Sequence, residues 1–371
     1  MKKILYITTS SCTINSFLVQ HIKMLVEQGY VVDCAANLDY ELNIDINQEL
    51  HDIGVKFYEL PFNRNPLSGQ NFKAFKLLVK IQEENQYDII HVHTPIASVY
   101  GRLLKIKFTN IKTIYTVHGF HFYKGAPKVN WMIYYPIEKI MAKFTDIAIT
   151  INSEDYEMAK KLGIKEVHSF NGVGVDLNIY SPKLYDRKTC REKFNINEDD
   201  FVVAMIAEVN KNKNHNQMIN AVEKLIKENK SIKVLCAGDG NLIEDIKMDI
   251  RKKNLDNVIQ MLGFRTDINE IITCADIGLL MSYREGLPRN IMELMAFGKP
   301  VIGTNIRGIR DLIHNGKNGF LVDIEDYEKT ANAIDTLYED RELLLQMGND
   351  AYQSIQKYSI DNVINQLKEV Y

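Results

Sequence analysis

At 371 residues, with 46% hydrophobic and 25% charged residues, the chain has the composition of a soluble globular protein of two domains. A formal net charge of −3 gives no global electrostatic case for nucleic acid as a partner. Five cysteines without Cys-x-x-Cys spacing argue against a disulfide framework or a zinc site, and no apolar run approaches the ~20 residues of a membrane helix.

In the first half, predicted strands at 3–8, 30–35, 55–60, 88–93, 112–117 and 146–151 alternate with predicted helices at 16–28, 71–85, 97–105 and 131–144. The opening Met-Lys-Lys-Ile-Leu-Tyr-Ile run is cut too short for a signal peptide by Thr8, Thr9, Ser10 and Ser11, so a cytoplasmic location is expected. Gly29 stops the first helix, and Phe72, Phe75, Leu78, Val79 and Gln82 form the predicted apolar face of 71–85. The pattern restarts after Pro182. Strands are predicted at 201–207, 233–237, 258–261, 277–281, 300–304 and 319–322, with helices at 214–229, 242–254, 267–274, 327–340 and 341–358. Repeated β-α units predict an α/β fold with parallel sheets covered on both faces. The expected domains are 1–180 and 181–358, with a helix at 359–371 packing back on the first.

The stretch Glu285-Gly-Leu-Pro-Arg-Asn-Ile-Met-Glu293 follows the apolar strand pattern Asp276 to Met281. Pro288 suits a first helical turn, so Glu285 is expected on the loop and Glu293 about one and a half turns into the helix. A helix N-terminus at the carboxyl end of a parallel sheet suits a phosphate. Carboxylates there repel an anion, and accepting hydrogen bonds from sugar hydroxyls is the role that fits them.

Other stretches carry weaker signals. Gly238 and Gly240, in a strand-to-helix turn, permit close approach to a ligand or serve only the turn. Lys211 and Lys213, after the strand at 201–207, suit a diphosphate or form a solvated loop. His118, before Gly119 at a strand end, is balanced between catalysis and structure; His121 has less standing. The aromatics Phe120, Phe122, Tyr123, Trp131, Tyr134 and Tyr135 would line a pocket, touch lipid or pack in the core. His91 and His93 alternate along a strand and are expected on opposite faces. Residues 101–143 carry Arg102, Lys105, Lys107, Lys112, Lys124, Lys128, Lys139 and Lys143 against Glu138 alone, which suits an anionic membrane or substrate, or a solvated face. No P-loop and no Gly-x-Ser-x-Gly occurs, and no Asp-x-Asp marks a diphosphate-bound metal.

Taken together, these segments resemble the family 4 retaining glycosyltransferases of the GT-B fold, over nearly the whole chain. Glu285 to Glu293 matches the family's Glu-x7-Glu motif; Ala296-Phe-Gly-Lys-Pro-Val-Ile302 and Asn315-Gly-Lys-Asn-Gly-Phe-Leu-Val322 follow in family order. Thr116 to Pro127 and Tyr135-Pro-Ile-Glu-Lys139 resemble a bacterial branch that makes capsule, exopolysaccharide or related lipid-linked glycans. The resemblance implies two Rossmann-like domains facing across a cleft that closes on substrates. It implies a UDP-sugar donor, an acceptor saccharide linked to polyprenyl diphosphate, no metal cofactor, and a peripheral position at the inner face of the membrane, on anionic lipid.

By the same resemblance, Glu285 would contact donor-sugar hydroxyls, Glu293 the ribose, and Lys213 the diphosphate. The backbone of Gly286, Leu287, Pro288 and Arg289 would meet phosphates or sugar. Phe264 and Arg265 lie in the segment whose backbone meets the base, and Gly238 and Gly240 in the nucleotide-binding turn. His118 would sit beside the donor sugar. Ser11, His121, Tyr123 and Lys124 are assigned to the acceptor side. Two family features are missing. Ala207-Glu208 replaces the usual Gly-Arg, leaving Lys211 or Arg289 to supply the lost charge, and the N-terminal glycine pair is absent from Thr8 to Ile14. A non-catalytic sugar-nucleotide-binding partner of another transferase and a UDP-sugar epimerase are the alternative readings.

Overall fold

The computed structural model describes residues 1–38 and 45–371. They form two compact units, Met1–Val173 with Asp361–Tyr371, and Gly174–Ile360. The break therefore falls after Val173 rather than near Ser181.

The first unit holds a seven-stranded parallel sheet of β1 (Lys3–Ser10), β2 (Val31–Asn37), β3 (Phe57–Glu59), β4 (Ile89–Val92), β5 (Lys112–Val117), β6 (Ile147–Thr150) and β7 (Glu166–Ser169), in the order β3-β2-β1-β4-β5-β6-β7. Alternate residues of β1 enter different cores: Leu5 and Ile7 one, Ile4 and Tyr6 the other. This is the strand period of two acting on a sheet covered on both faces, and it explains why the strands read as unbroken apolar runs. The order reverses between β1 and β4, which opens a crevice at their carboxyl ends.

The second unit repeats the design with six parallel strands, β8 (Phe201–Ile206), β9 (Ile232–Ala237), β10 (Ile259–Gly263), β11 (Ile277–Leu280), β12 (Val301–Thr304) and β13 (Gly319–Val322). Their order is β10-β9-β8-β11-β12-β13, so the switch point lies between β8 and β11.

Several expectations are corrected. The single helix at 16–28 is two, Ser11–Phe17 and Val19–Glu27. The first starts directly after β1 because the Ser10 side chain caps it, accepting from Cys12 N–H at 3.2 Å. The helix Gly69–Asn85 buries Asn71, Ala74, Leu78, Ile81 and Gln82 and leaves Phe72 exposed. The helix Ser153–Leu162 and β7 were not anticipated. His91 and His93 do not diverge: β4 ends at Val92, His93 leaves the strand, and the two rings stack with centroids 4.4 Å apart.

Arg102 is not part of a basic surface. It is fully buried, and its guanidinium donates to both carboxylate oxygens of Glu138, at 2.8 and 3.1 Å, while lying over the Tyr115 ring. The pair joins the helix Pro95–Lys107 to the helix Lys128–Met141. Lys105 and Lys107 are likewise paired, with Asp146 and Glu83. The helix Ile360–Lys368 leads the chain end onto the first unit, where Tyr371 hydroxyl meets that of Tyr6 at 2.8 Å.

Candidate active site

In the second unit the loops leaving β8 and β11 meet at the switch point. The 3-10 turn Lys211–Lys213 is held by Asn210, whose side chain accepts from Lys213 N–H at 3.1 Å. This turn is fastened to the loop after β11 three times. Tyr283 N–H donates to Asn212 O at 2.8 Å, Asn212 Nδ2 donates to Arg284 O at 3.0 Å, and Lys213 Nζ donates to Glu285 Oε1 at 2.6 Å. Lys213 and Glu285 are both mostly buried, so their attraction is less screened than that of a surface pair.

Pro288 stands at the N-cap of the helix Arg289–Ala296 and supplies no side-chain cap. Asn290 Nδ2 donates to Ile206 O at 2.6 Å, which anchors the first turn to the end of β8. Glu293 is buried one turn in, ion-paired to Arg289 at 3.0 Å and hydrogen-bonded to Tyr180. Burial outweighs both partners and raises the Glu293 pKa above the usual carboxylate range. Tyr180 is raised as well, by burial and then by the nearby Glu293 charge. Arg307, buried in the loop after β12, donates from Nε to Glu285 O at 3.3 Å.

Three glycines are explained by the protein's own backbone. A Cβ on Gly238 (φ +145°) would overlap Ala207 O, and one on Gly240 would overlap Val209 O. These glycines bring the β9 turn against the β8 exit, so packing alone requires glycine at both positions. Gly308 (φ +78°) stands against Gly286 O in the same way and supports the Glu285 loop from below. Leu287 is buried; Phe264 is exposed, and Arg265 is engaged with Asp267, donating from Nε at 2.8 Å. Lys211 and Glu208 are exposed. A cavity of about 620 Å³ lies away from these groups, at the amino ends of β11 and β12 beside Asp276 and Lys299.

In the first unit His118 is half-buried, with Nε2 3.0 Å from His93 Nδ1. His91 bridges Thr116 Oγ1, at 2.7 Å, and Tyr371 hydroxyl. His21 contacts Val173 O at 3.2 Å. Burial lowers all four imidazoles, His21 and His118 to about 4 and His91 and His93 well below the ordinary imidazole value, so they are neutral near pH 7. A cavity of about 360 Å³ opens beside them, lined by Thr9, Thr13, Arg64, Thr94, His121 and Tyr134 among others. Thr94, a β-branched residue at φ +60°, is held there by Thr9, whose N–H donates to Thr94 Oγ1 at 3.0 Å. Of the acceptor-side residues only His121 lines this cavity, with its ring 4.6 Å from that of Tyr134. Ser11 is fully buried, Lys124 is exposed, and Tyr123 turns its carbonyl to Trp131 Nε1 at 3.3 Å. Phe120 and Phe122 belong to the core.

Comparison with known proteins decides the family. Residues 186–354 match Glycosyl transferases group 1, and residues 14–177 match Glycosyltransferase Family 4. A Bacillus subtilis (strain 168) protein named as the glycosyltransferase EpsD is 34% identical, over 100% of this chain and 96% of its own length. This chain is a family 4 glycosyltransferase. An Escherichia coli protein named UDP-Gal:alpha-D-GlcNAc-diphosphoundecaprenol alpha-1,3-galactosyltransferase is 28% identical, over 86% of this chain and 84% of its own. A Campylobacter jejuni N,N'-diacetylbacillosaminyl-diphospho-undecaprenol alpha-1,3-N-acetylgalactosaminyltransferase is 27% identical, over 87% and 86%. Among solved structures, Anabaena Alr3699/HepE in complex with UDP and glucose superposes with a TM-score of 0.81 at 20% identity, over 100% of this chain and 99% of that one. These neighbours establish the GT-B fold.

Sequence reasoning about this glycosyltransferase did not bring Arg307 or Tyr180 to the candidate site, and it placed His93 on the face opposite His91. Arg307 had a usable signal, because it follows the end of β12 and precedes a glycine, as active-site loops of parallel sheets do. Tyr180 had none: it lies far from Glu293 along the chain and reaches it only through the fold. His215 was also passed over. It begins the helix His215–Lys227, is buried, and neither ring nitrogen has a partner among the described residues.

Proposed function

We propose that this glycosyltransferase moves a sugar, specifically an N-acetylhexosamine, from a UDP-sugar to a saccharide carried on polyprenyl diphosphate, with retained anomeric configuration, in the synthesis of bacterial surface polysaccharide or glycan. The observation that carries the reading is the Lys213–Glu285 pair at the β8/β11 switch point, beside the N-terminus of the helix that bears Arg289 and Glu293. A diphosphate and a polyhydroxylated sugar require such a set, in which an ammonium and a helix end face the anion and carboxylates face the hydroxyls. The two relatives whose names include diphosphoundecaprenol support a lipid-linked acceptor.

In this reading the bond from the sugar C1 to the β-phosphate oxygen breaks and its electron pair stays on the phosphate. The acceptor hydroxyl bonds to C1 on the same face, and its proton passes to the departing phosphate oxygen. Lys213 has three N–H donors, so it can hold Glu285 and still stabilise the charge developing on that oxygen. Glu285 orients the sugar, and Glu293 accepts from the ribose. His118 acts at the reacting sugar as a neutral hydrogen-bonding group. No metal ion takes part; Lys213 and Arg289 with the helix end meet the diphosphate charge. Turnover that survives EDTA supports this, and turnover restored only by a divalent ion sinks it.

Mass-spectrometric turnover of UDP-sugars, with and without polyprenyl-diphosphate-sugar acceptors, tests the whole. An acceptor-dependent product lost in Glu285→Ala is expected. Acceptor-free conversion to a second UDP-sugar would identify an epimerase, and UDP binding without turnover a non-catalytic partner.

A further inference from the structure

We propose that the cavity at the amino ends of β11 and β12 is a second ligand site, which takes a small phosphomonoester with an aromatic or aliphatic body. Its volume of about 620 Å³ is that of a small-molecule site, and all its lining residues belong to the second unit. It stands at the other end of β11 from Glu285. The helix Arg289–Ala296 carries Arg289 and Glu293 near its start and ends against this cavity at Phe297.

Three cations, Lys183, Arg187 and Lys299, line the cavity with one carboxylate, Asp276. That carboxylate is already engaged. Its Oδ1 accepts from Arg187 Nη2 at 2.7 Å, and its Oδ2 from Arg191 Nη2 at 3.1 Å and Val202 N–H at 2.8 Å. Arg187 Nη1 also donates to Thr273 O and Ala275 O, both at 2.8 Å, which leaves the guanidinium two of its five N–H donors. Lys299 has no comparable partner: its Nζ makes no hydrogen bond and no ion pair among the described residues. Nor does closing the preceding helix need its side chain. Phe297 N–H and Lys299 N–H donate to Leu294 O, both at 3.1 Å, and Gly298 N–H donates to Met295 O at 2.9 Å. Burial, and then the Arg187 charge, lower the Lys299 pKa to about 8, which leaves it mostly protonated at pH 7.

A half-buried ammonium without a counter-ion is costly unless an anion comes to it. Three cations against one carboxylate leave two positive charges in the cavity. A phosphomonoester near pH 7 carries close to two negative charges, whereas a carboxylate would meet only one. Lys299 with three N–H donors and Arg187 with two suit its three terminal oxygens. The walls call for more than the bare anion. Phe297 and Leu344 are buried, and Leu345 and Tyr352 stand exposed at the mouth. The helix Arg341–Ile355 sits directly on the turn before Lys299, because a Cβ on Gly348 would come within 2.4 Å of Gly298 O. The apolar wall is therefore fixed beside the cation. The inference does not depend on the transfer reading, since none of these groups belongs to the Lys213–Glu285 site.

Phenyl phosphate is the probe, titrated calorimetrically into the native chain, Lys299→Met, Lys183→Ala and Lys213→Met. Expected is binding by the native chain at millimolar concentration or below, weakened about tenfold or more in Lys299→Met and several-fold in Lys183→Ala. Lys213→Met should bind it as the native chain does. Inorganic phosphate and phenol, each lacking half of the probe, should bind about tenfold more weakly than phenyl phosphate. Methionine keeps the apolar length of the lysine, so Lys299→Met should fold, with a urea midpoint equal to or above the native one. A lowered midpoint would make Lys299 a structural residue and overturn the proposal. So would no binding by the native chain at about 10 mM probe, or equal binding by Lys299→Met. Loss of binding in Lys213→Met would place the probe in the other site, and equal affinity for inorganic phosphate or tighter binding of benzoate would reject the ligand class.

Discussion

Lys213 Nζ donates to Glu285 Oε1 at 2.6 Å, across 72 positions of the chain. The cation that would receive the leaving phosphate and the carboxylate that would orient the sugar hold each other in place before any donor arrives. Each is therefore preorganised by the other, and removing one also releases its partner. Glu285→Gln and Lys213→Met should each lower kcat by about 10²–10³-fold. The double variant should be little worse than the poorer single one, because the two act as a unit. Steady-state kinetics of the three proteins measures this; fully multiplicative losses would show that the pair is not coupled.

Arg289 and Glu293 form the second pair, across the first turn of the helix Arg289–Ala296. Arg289→Ala should weaken UDP binding about tenfold or more, by removing a cation and leaving Glu293 buried beside Tyr180 alone. Lys211→Ala, at an exposed site, should do less. Calorimetric titration with UDP separates them, and unchanged affinity in both would leave the charge missing at Glu208 without a replacement.

Burial raises the Glu293 pKa, so protonation begins at a higher pH than for an ordinary glutamate. The protonated acid loses the Arg289 ion pair and half its accepting capacity. UDP affinity should therefore fall as pH drops through this raised value, and Glu293→Gln should flatten the profile. An identical acid limb in both proteins would assign the titration elsewhere.

Gly308→Ala should damage the Glu285 loop without touching a substrate. Its Cβ would overlap Gly286 O in a backbone of φ +78° that favours glycine. A loss of stability of about 1–3 kcal/mol with a larger fractional loss of kcat is expected. Denaturant unfolding and kinetics of the same preparation check both; a fully active Gly308→Ala would show that the loop has room to move.

The buried histidines make the first unit sensitive to acid. Unfolded, each imidazole titrates near its ordinary value of about 6.5; folded, His21 and His118 titrate at about 4. Between those values the unfolded chain binds more protons, so stability is full above pH 6.5 and declines as pH falls toward 4. The loss should be on the order of 1 kcal/mol for each buried imidazole between pH 6.5 and 5. Urea midpoints across this range measure it, and His21→Gln should show a shallower slope. A midpoint independent of pH would mean that the imidazoles are hydrated and titrate normally.

Much of this protein is legible from local order along the chain. Apolar runs bounded by glycine and polar turns announced the strands. The 3.6-residue rows announced most helices, and the β-α alternation announced two parallel sheets, because each pattern is imposed by backbone geometry within a few residues. Glu285 and Glu293 could be placed on a loop and a helix for the same reason. Their partners could not. Lys213 and Tyr180 reach the two carboxylates, and Arg307 the Glu285 carbonyl, only because the strand order brings the ends of distant segments together. Gly238 and Gly240 stood in a turn by sequence, but the backbone that requires glycine there, at Ala207 and Val209, is brought up only by the fold. Arg102 counted as surface charge in composition, yet burial against Glu138 removes it from the surface, and the helix Lys128–Met141 that bears Glu138 presents an exposed aliphatic side in its place. Composition records which groups are present, whereas burial and long-range pairing depend on which segments the topology makes neighbours, and these set the charge each group presents.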